Sequence, residues 1–295
     1  MSRYGIAFIG HMCYDEVTPF GGGTIVAPGS AVLCGATVTA RIGVRTAAVV
    51  KMSPDEEHIV QPLKDLGVDV FLVPSEQTTY SRVLHKSENV DERDITLVRT
   101  AGLIKIGDIP ELDSRYFHLA GISDSEFDMA LIDGLKARGY RLSADMQSFV
   151  RQIAPVTREI NFGDVKDKKE IVSKMGMVKL DVVEARVLTG TDDLEKAAEI
   201  VGAWGCPEIM ITRSDGALVR AGGKTYFERF SNKSMAGRTG RGDTTFAAYQ
   251  ARRLEHGVAE SLKFAAALVS IKMETYGPFQ GTLDDVLARM KEKHT

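Results

Sequence analysis

The stretch Gly237-Arg238-Thr239-Gly240-Arg241-Gly242-Asp243-Thr244-Thr245 constrains the fold and the chemistry of this chain more than any other segment. Glycines at 240 and 242 leave the backbone unobstructed, Asp243 follows at once, and residues 246–254 form a helical pattern. A glycine-rich turn that opens a helix binds anions, because the first-turn N–H groups are unpaired and the helix dipole is positive there. A carboxylate beside such a site can take the proton of a hydroxyl that attacks phosphorus.

Asp243 also has a purely structural interpretation. Aspartate is a favoured N-cap residue, so helix capping alone could explain its position before a helical pattern. Capping does not require the two preceding glycines, whereas a phosphate-binding turn does. The glycines therefore favour an anion site with a carboxylate beside it.

The composition is that of an ordinary globular protein. Of the 295 residues, 44% are apolar and 26% are charged, and the formal net charge of −3 gives no electrostatic case for nucleic acid or an anionic membrane. The three cysteines are too far apart for a disulfide framework, and the six histidines show no zinc-ligand spacing. The chain has no apolar run of membrane-spanning length and no signal-peptide pattern, so we expect a soluble, cytoplasmic protein.

Short apolar runs alternate along the chain with amphipathic stretches. The strand patterns cover residues 6–9, 46–50, 68–73, 116–120, 141–144, 177–180 and 208–212. The helical patterns cover residues 31–41, 55–66, 125–138, 168–174, 194–204, 243–256, 258–275 and 282–293. Strands separated by helices of this length indicate parallel crossovers and a sheet covered on both faces. The sequence therefore predicts an α/β fold in a single domain, residues 1–295.

Residues 78–101 interrupt this alternation. Two strand patterns, at 79–85 and 95–100, flank a polar turn at 88–94. Together with residues 21–27 they could form a small sheet that projects from the main one. The alternatives are an ordinary surface hairpin and a lid that closes over substrate and excludes water.

A second candidate site is Lys179-Leu180-Asp181-Val182-Val183-Glu184, where a strand pattern enters a helix. Asp181 and Glu184 are three residues apart, so both carboxylates face the same side of a helical start. Such carboxylates can hold magnesium, usually through water. The structural alternative is a capping box, in which Asp181 caps the helix and Glu184 reaches back. The residues alone do not decide between the two interpretations.

Three further loops carry weaker signals. Turn chemistry is enough to explain Thr212-Arg213-Ser214-Asp215-Gly216, whose alternative role is to line nucleotide phosphates. Gly222-Gly223-Lys224-Thr225 looks like the tail of a P-loop but lacks its first glycine and its helix, so we expect a hairpin turn. Asp15 follows the first strand, at the carboxyl edge where open α/β sheets bind ligands.

Taken in order, these segments resemble the ribokinase (phosphofructokinase-B) family of carbohydrate kinases over essentially the whole chain. The family signature Asp-Thr-x-Gly-Ala-Gly-Asp corresponds to residues 237–243, its Asn-x-x-Glu motif to 181–184, and its Thr-x-Gly-x-x-Gly nucleotide loop to Thr212 onward. Its early Gly-Gly-x-x-x-Asn-x-Ala motif corresponds to residues 29–36. The resemblance implies a ribokinase-like three-layer α/β/α sandwich with a mostly parallel central sheet. It also implies a small β-sheet lid formed by about residues 12–27 and 78–101.

The resemblance implies roles for individual residues as well. Asp243 would be the general base, and the backbone N–H groups of Arg241, Gly242 and Asp243, in the turn after Gly240, would form the anion hole for the transferred phosphoryl group. The residues expected to bind ATP and Mg2+ are Asp181, Glu184, Thr212, Ser214 and Gly216, with Glu184 organising the metal. The residues expected to bind the substrate are Asp15, Gly29, Ser30, Gln147, Arg151 and Asp243.

Several residues depart from the family pattern. Gly237, Arg238 and Arg241 replace the signature's aspartate, threonine and alanine, and Ser30 and Cys34 replace a glycine and an asparagine. The changes in the signature lie beside the family's monovalent-cation loop and weaken the case for potassium activation. The change at Cys34 removes a polar sugar contact, which disfavours ribose and fructose. Arg241 either faces solvent or adds a cation near the phosphates.

Three segments together are similar to one branch, the bacterial myo-inositol-kinase-like proteins. They are Gly-His-x-x-x-Asp at 10–15, Leu-Ser-Ala-Asp-x-Gln-x-Phe-Val-Arg at 142–151 and Gly-Arg-Thr-Gly-Arg-Gly-Asp-Thr at 237–244. In that branch Gln147 and Arg151 follow a strand end and are expected to contact the polyol. The sequence therefore predicts an ATP- and Mg2+-dependent kinase of a small sugar or polyol, with myo-inositol as acceptor. Pairing through the lid would make it a homodimer.

Other functions compete with this prediction. The nearest is a kinase for another sugar, a sugar acid or a nucleoside. A non-catalytic sugar or nucleotide sensor on the same fold would bind without turnover, but Asp243 and Glu184 are both retained. A dinucleotide oxidoreductase would need its glycine-rich turn early in the chain, in a βαβ unit followed by an acidic residue.

Overall fold

We analysed a computed structural model of the chain, which describes residues 3–87 and 93–292; most of the polar turn predicted at 88–94 lies outside these residues. The strands are β1 Tyr4–His11, β2 Cys13–Thr18, β3 Ile25–Gly29, β4 Thr46–Met52, β5 Asp69–Pro74, β6 Thr79–His85, β7 Arg93–Arg99, β8 Ser114–Leu119, β9 Leu142–Asp145, β10 Arg151–Ile153, β11 Ile160–Phe162, β12 Met175–Asp181, β13 Glu208–Thr212, β14 Gly216–Ala221 and β15 Lys224–Arg229. The helices are α1 Ala31–Arg41, α2 Gln61–Asp65, α3 Met129–Ala137, α4 Gln147–Val150, α5 Lys168–Ser173, α6 Val182–Thr189, α7 Leu194–Ala203, α8 Arg241–Arg253, α9 Val258–Met273 and α10 Leu283–Lys291.

Nine strands form the central sheet, in the order β15-β14-β13-β12-β9-β8-β1-β4-β5. The strands from β13 to β5 pair in parallel, whereas β14 and β15 are antiparallel additions at one edge. Because parallel strands end at the same edge, the last residues of β13, β12 and β9 lie side by side there, with that of β1 beyond the intervening β8: Thr212, Asp181, Asp145 and His11. This edge is where the site residues collect.

Two apolar layers cover the sheet. Side chains of β1 alternate between them, with Ala7 and Ile9 in one layer and Ile6 and Phe8 in the other. The first layer packs against α3 to α7, and the second against α1, α2 and α8 to α10. The predicted three-layer α/β/α sandwich with a mostly parallel sheet is therefore confirmed.

A separate four-stranded sheet has the order β3-β2-β6-β7. It takes β2 and β3 from the segment at 12–27, although β3 begins at Ile25 and extends to Gly29, and it takes β6 and β7 from 78–101. The strand β2 pairs in parallel with β6, which places Asp15 opposite Ser81. The small sheet is confirmed, and its closure over a substrate stays a prediction.

Some predicted elements differ from the structure. The helix predicted at 55–66 is a 3-10 segment, Pro54–Val60, with a non-helical backbone at Glu56, followed by the short α2. Pro62 explains the break, because a proline inside a helix removes a backbone donor and clashes with the preceding turn. The helix predicted from 125 begins only at Met129, where Asp128 is the N-cap and accepts from the Leu131 N–H at 2.8 Å.

Two strands, β10 and β11, lie where the sequence patterns predicted none, and two more, β14 and β15, flank a predicted hairpin turn. The hairpin of β10 and β11 follows α4, and β14 and β15 form a second hairpin. The hairpin turn predicted at Gly222 and Gly223 is confirmed, with both residues at positive φ (56° and 77°). No helix in the described part of the chain combines the length and apolar character needed to cross a membrane.

Candidate active site

The glycine-rich turn enters α8 through a backbone that only glycine adopts easily. Gly240 is the N-cap of α8 and has a left-handed conformation, with φ at 77°. Gly237 has no room for a side chain, since a Cβ there would lie 1.7 Å from the carbonyl oxygen of Thr275. Asp243 is the third helical residue, so it does not serve as the N-cap, which was the structural alternative. Its carboxylate and the N–H group of Gly242 therefore share the first turn of the helix.

One N–H group of the predicted anion hole already donates a hydrogen bond within the turn. The N–H of Arg241 donates to the carbonyl of Arg238 at 3.1 Å, and that of Thr244 donates to the carbonyl of Gly240 at 2.9 Å. Between them, Gly242 and Asp243 occupy first-turn positions, where a helix supplies no backbone acceptor. These two N–H groups are the ones best placed to receive an anion.

The carboxylate of Asp243 lies among other polar groups. The side-chain amide of Gln147 approaches its Oδ1 at 3.4 Å and also donates to the carbonyl of Gly121 at 2.8 Å. Burial raises the pKa of Asp15, and the charge of Asp243 adds to that increase. The two carboxylates are therefore close enough to interact, at the junction of the main sheet and the small sheet.

A buried ion-pair cluster lies directly beneath the turn. The ammonium of Lys179, at the end of β12, is 2.9 Å from the carboxylate of Asp145 and 3.8 Å from that of Glu184. Burial alone would lower the pKa of Lys179, but these carboxylates outweigh it and raise the pKa. A Cβ added to Gly242 would lie 3.0 Å from this ammonium, so Lys179 is in contact with the glycine-rich turn.

The geometry of Asp181 and Glu184 fits both the capping box and a carboxylate pair near a metal. The carboxylate of Asp181 accepts from the Glu184 N–H at 2.9 Å, and that of Glu184 accepts from the Asp181 N–H at 2.8 Å, which is a capping box. The other oxygen of Glu184, Oε1, is buried without a hydrogen-bond partner, and Arg151 lies 3.8 Å away. Burial raises the pKa of Glu184 to about 8, and the charge of Asp181 adds to this. A bound cation would stabilise the ionised form of this carboxylate.

The substrate-side residues lie where β2, β3 and α1 meet. The Oδ1 atom of Asp15 accepts from the hydroxyl of Ser81 at 2.5 Å. A Cβ on Gly29 would lie 1.9 Å from the other oxygen of Asp15, so only glycine permits this approach. Ser30 caps α1, since its hydroxyl accepts from the Leu33 N–H at 3.0 Å, and it has a φ of 139°, an unfavourable value for a residue with a side chain.

Cys34 lies against the glycine-rich turn. A Cβ added to Gly240 would be 2.6 Å from its sulfur. Burial raises the pKa of this thiol to about 12, with the nearby Asp243 adding to the effect. The residue that replaces the family's asparagine is therefore a neutral thiol in contact with the turn.

Four arginines near the site interact electrostatically with one another: Arg93, Arg151, Arg238 and Arg241. Burial lowers the pKa of Arg93, and so does the charge of Arg151. Burial, together with the charge of Arg241, lowers the pKa of Arg238 to about 10. Such mutual effects indicate cations held close together, which is typical of a site for a polyanion.

Arg241 is not the solvent-facing residue that one of the two sequence interpretations expected. Its side chain is half-buried, and its Nη1 atom is inaccessible to solvent and has no hydrogen-bond partner. Burial lowers its pKa, while the charges of Asp181 and Asp215 oppose that effect. The alternative, a cation near the phosphates, agrees with this geometry.

The predicted nucleotide loop divides into two parts. Thr212 lies close to the turn, since its hydroxyl oxygen would be 3.8 Å from a Cβ on Gly242. Ser214 and Gly216 form the tight turn into β14, closed by a hydrogen bond of 2.9 Å from the Arg213 N–H to the Gly216 carbonyl. Arg213 is held by the carboxylate of Asp215. Their role in binding a phosphate donor stays a prediction.

The sequence interpretation missed Asp145 and gave no role to Lys179. Each ends or nearly ends a strand, and a charged residue in an otherwise apolar strand was the signal that could have identified them. It also missed Lys272, near the end of α9, whose buried ammonium donates to carbonyl oxygens of Gly237 and Thr239 in the turn.

Comparisons with known proteins show that this chain is similar to kinases. No protein-family model matches the chain. A pyrophosphate-dependent kinase of the ribokinase family, solved as a sulfate complex, has a TM-score of 0.89 and 31% identity, covering 96% of this chain and 99% of that one. A pyrophosphate-dependent kinase of that family, complexed with a pyrophosphate analogue and myo-inositol, has a TM-score of 0.87 and 29% identity, with coverage of 96% and 99%.

Two further relatives differ in their acceptors. A cytidine kinase from Thermococcus kodakarensis is 28% identical over 250 residues, which cover 81% of this chain and 84% of the relative. A ribokinase from Arabidopsis thaliana, complexed with ribose and ATP, has a TM-score of 0.78 at 18% identity, covering 99% of this chain and 100% of that one. At that identity the likeness concerns the fold.

Proposed function

This chain belongs to the ribokinase family, and from that premise we propose that it transfers a phosphoryl group from pyrophosphate to a hydroxyl of myo-inositol. It is a phosphotransferase that acts on a hydroxyl group, with the sugar or polyol kinase activity of its family. The acceptor and the donor are the parts that we propose. The position of Asp243, in the first turn of α8 behind a glycine N-cap, is the observation that carries the proposal.

In the proposed reaction an oxygen of the polyol attacks one phosphorus of the donor. The new O–P bond forms as the bridging P–O bond breaks, orthophosphate leaves, and Asp243 accepts the hydroxyl proton. The N–H groups of Gly242 and Asp243 stabilise the charge on the transferred group. Gln147 orients the base through the contact of 3.4 Å to its Oδ1.

Acceptor binding rests on carboxylates that can take hydrogen bonds from several hydroxyls. Asp15 is fixed by Ser81 and lies close to Asp243, so adjacent hydroxyls of a cyclic polyol can donate to both. Gly29 and Ser30 shape the wall on the same side, and Arg151 lies beside Glu184. A neutral, hydroxyl-rich ring suits this lining better than a charged acceptor does.

The four arginines support pyrophosphate as the donor. Pyrophosphate has no base or sugar to bind, so its affinity must come from contacts to phosphate oxygens, for which guanidinium groups are the most suitable partners. Two relatives at 29–31% identity are pyrophosphate-dependent kinases. ATP, the donor that the sequence predicts, remains the alternative, and the same assay tests it.

Magnesium fits the site as an ion held mainly by the donor and by water. The described residues contain no group of three or more acidic, cysteine or histidine side chains arranged for direct coordination. The unpartnered Oε1 of Glu184 can accept from a metal-bound water, and Asp181 lies next to it. When bound, Mg2+ would neutralise charge on the donor phosphates.

The test is a matrix of donors and acceptors with the purified protein. Pyrophosphate and ATP are each combined with myo-inositol, ribose, fructose and cytidine in the presence of Mg2+, and phosphomonoester products are identified by phosphorus NMR. We expect the fastest product formation from pyrophosphate and myo-inositol, and none from the Asp243→Asn variant. Phosphorylation of cytidine in preference to every polyol would contradict the acceptor, and faster use of ATP would contradict the donor. Binding of myo-inositol without turnover under any condition would support the sensor instead.

The proposed homodimer through the small sheet remains a prediction. Four apolar side chains of its strands are exposed: Ile25, Val26, Leu84 and Val98. Light scattering on the purified protein measures the mass directly, and a monomer at working concentration would contradict the prediction.

A further inference from the structure

Lys272 is a buried lysine whose ammonium is held by backbone carbonyls. It lies in the last turn of α9, is 1% exposed, and donates from Nζ to the carbonyl oxygens of Gly237 and Thr239. The same end of α9 receives the N–H of Gly237 at the carbonyl of Met273, at 2.8 Å. The catalytic turn is therefore tied to α9 on both sides of Arg238.

The partners of this ammonium are unusual for a buried charge. Among the described residues, no carboxylate forms an ion pair with Lys272, although such a pair is the common way to compensate a buried lysine. Burial lowers the pKa of Lys272, and the charge of the nearby Asp243 carboxylate opposes that effect. The helix C-terminus adds a modest favourable field. Carbonyl dipoles thus supply the direct contacts.

A cation surrounded by carbonyl oxygens is the arrangement in which proteins hold potassium. An ammonium group has a single charge and a comparable preference for oxygen ligands, and here it is attached to the chain. The two carbonyls that it holds belong to Gly237 and Thr239, within the three residues before Gly240, the N-cap of α8 with a φ of 77°. Fixing them fixes the direction in which the first-turn N–H groups and Asp243 face the substrate.

We propose that the Lys272 ammonium is a built-in monovalent cation for the catalytic turn, so that the enzyme needs no potassium and would acquire a response to potassium or ammonium ions once this side chain is removed. Lys272 is a positioning residue, because it acts through the turn and not on the substrate. The kinetic consequence rests on the proposed function, whereas the effect on the stability of the turn does not.

The first experiment compares salts. Turnover of the wild-type protein is measured in choline, sodium, potassium and ammonium chlorides at equal ionic strength, alongside Lys272→Met. We expect wild-type kcat to agree within about twofold in all four salts, and kcat of the variant in choline to fall about 100-fold, as on loss of an oxyanion-hole donor. Potassium, ammonium or methylammonium should then restore the variant at least about tenfold in a saturable way, since each ion replaces the lost charge.

Lys263→Met is the matched control. Lys263 lies on the same helix with an exposed side chain, so this variant should keep wild-type turnover in every salt. A wild-type enzyme that requires potassium would overturn the proposal. So would a folded Lys272→Met variant that is fully active in choline, or one that is inactive and unresponsive to every monovalent cation.

The second experiment needs no activity. Thermal unfolding is followed by circular dichroism for the same three proteins in choline and in potassium or ammonium chloride at equal ionic strength. We expect the Tm of Lys272→Met to rise with potassium or ammonium, and the other two Tm values to be unaffected. Equal salt responses of all three proteins would overturn the proposal, whether or not the proposed kinase reaction is found.

Discussion

Two buried lysines flank the catalytic turn, and their partners differ in kind. Lys179 approaches Gly242 from the sheet and contacts the carboxylates of Asp145 and Glu184. Lys272 approaches from α9 and donates to carbonyl oxygens of the turn. Carboxylates can lose their charge by taking up a proton, whereas carbonyls cannot respond in that way. The first lysine therefore belongs to a cluster whose partners respond to pH, and the second is held by partners that do not titrate.

Asp243 interacts electrostatically with both lysines, and its removal should have the largest effect on turnover. We expect Asp243→Asn to lower kcat by about 1,000-fold or more, because the amide cannot accept the hydroxyl proton. The affinity for the donor should stay near the wild-type value, since the arginines and the first-turn N–H groups are unchanged. Initial rates and calorimetric titration with a pyrophosphate analogue measure the two quantities. Near-normal turnover would show that Asp243 is not the general base, and the catalytic role proposed for the turn between the two lysines would then be wrong.

Removal of Lys179 tests whether the two lysines differ in what compensates their loss, a lower pH or a potassium ion. In Lys179→Met the buried carboxylates of Asp145 and Glu184 lose their compensating charge, so we expect a loss of about 3–5 kcal/mol in the free energy of unfolding. Part of this loss should be recovered at lower pH, where the carboxylates are protonated, and none with potassium. Urea denaturation at two pH values, with and without potassium, measures the free energy of unfolding, and Lys263→Met is the control. A response to potassium like that expected for Lys272→Met would erase the distinction between the lysines.

Glu184 should make the free energy of unfolding depend on pH. Its pKa rises from 4.5 to about 8 in the folded protein, so the folded state binds a proton more tightly than the unfolded chain does. This contribution to stability is complete below the unfolded value and is lost as the pH rises toward about 8. We expect wild-type stability to fall by about 1–3 kcal/mol across this window, and less in Glu184→Gln.

Urea denaturation across the window measures this slope for both proteins. Addition of Mg2+ with a pyrophosphate analogue should reduce the wild-type slope, because a nearby cation stabilises the ionised carboxylate. Identical slopes for the wild type and Glu184→Gln would show that Glu184 does not titrate in this range.

Removal of any one of the four arginines should change the kinetic constants less than removal of either buried lysine. Arg241→Met removes one guanidinium from the proposed donor site, and we expect the KM for pyrophosphate to rise about tenfold with a smaller change in kcat. Arg186→Met, on an exposed face of α6, is the control and should leave both constants unchanged. An unchanged KM in Arg241→Met would remove this residue from the donor site and return it to a structural role.

Local patterns were enough to predict most of the fold. The helix at 31–41 was predicted with its observed ends, because its periodicity is regular and Ser30 caps it. The segment at 55–66 was wrong as a single helix, because Pro54 and Pro62 outweigh its amphipathic pattern. The small sheet could be anticipated only in outline, since β2 pairs with β6 across more than 60 intervening residues.

The candidate site divides in the same way. Asp243 and Glu184 could be identified because turn and capping chemistry depend on neighbours in the sequence. A charge in an apolar strand could have drawn attention to Lys179, but neither Lys179 nor Lys272 has a local signal for its partners, which are distant along the chain. Lys272 is 35 residues from Gly237, and only the packing of α9 against the turn brings them together.

One measurement tests the central claim, that this turn catalyses phosphoryl transfer with its own built-in cation. The wild-type protein is incubated with pyrophosphate, myo-inositol and Mg2+ in choline chloride, with potassium, sodium and ammonium excluded, and the products are followed by phosphorus NMR. We predict an inositol phosphomonoester signal that grows together with orthophosphate, at the rate seen in potassium chloride. A reaction that yields no phosphomonoester in either salt, or yields it only when potassium is present, would contradict the claim.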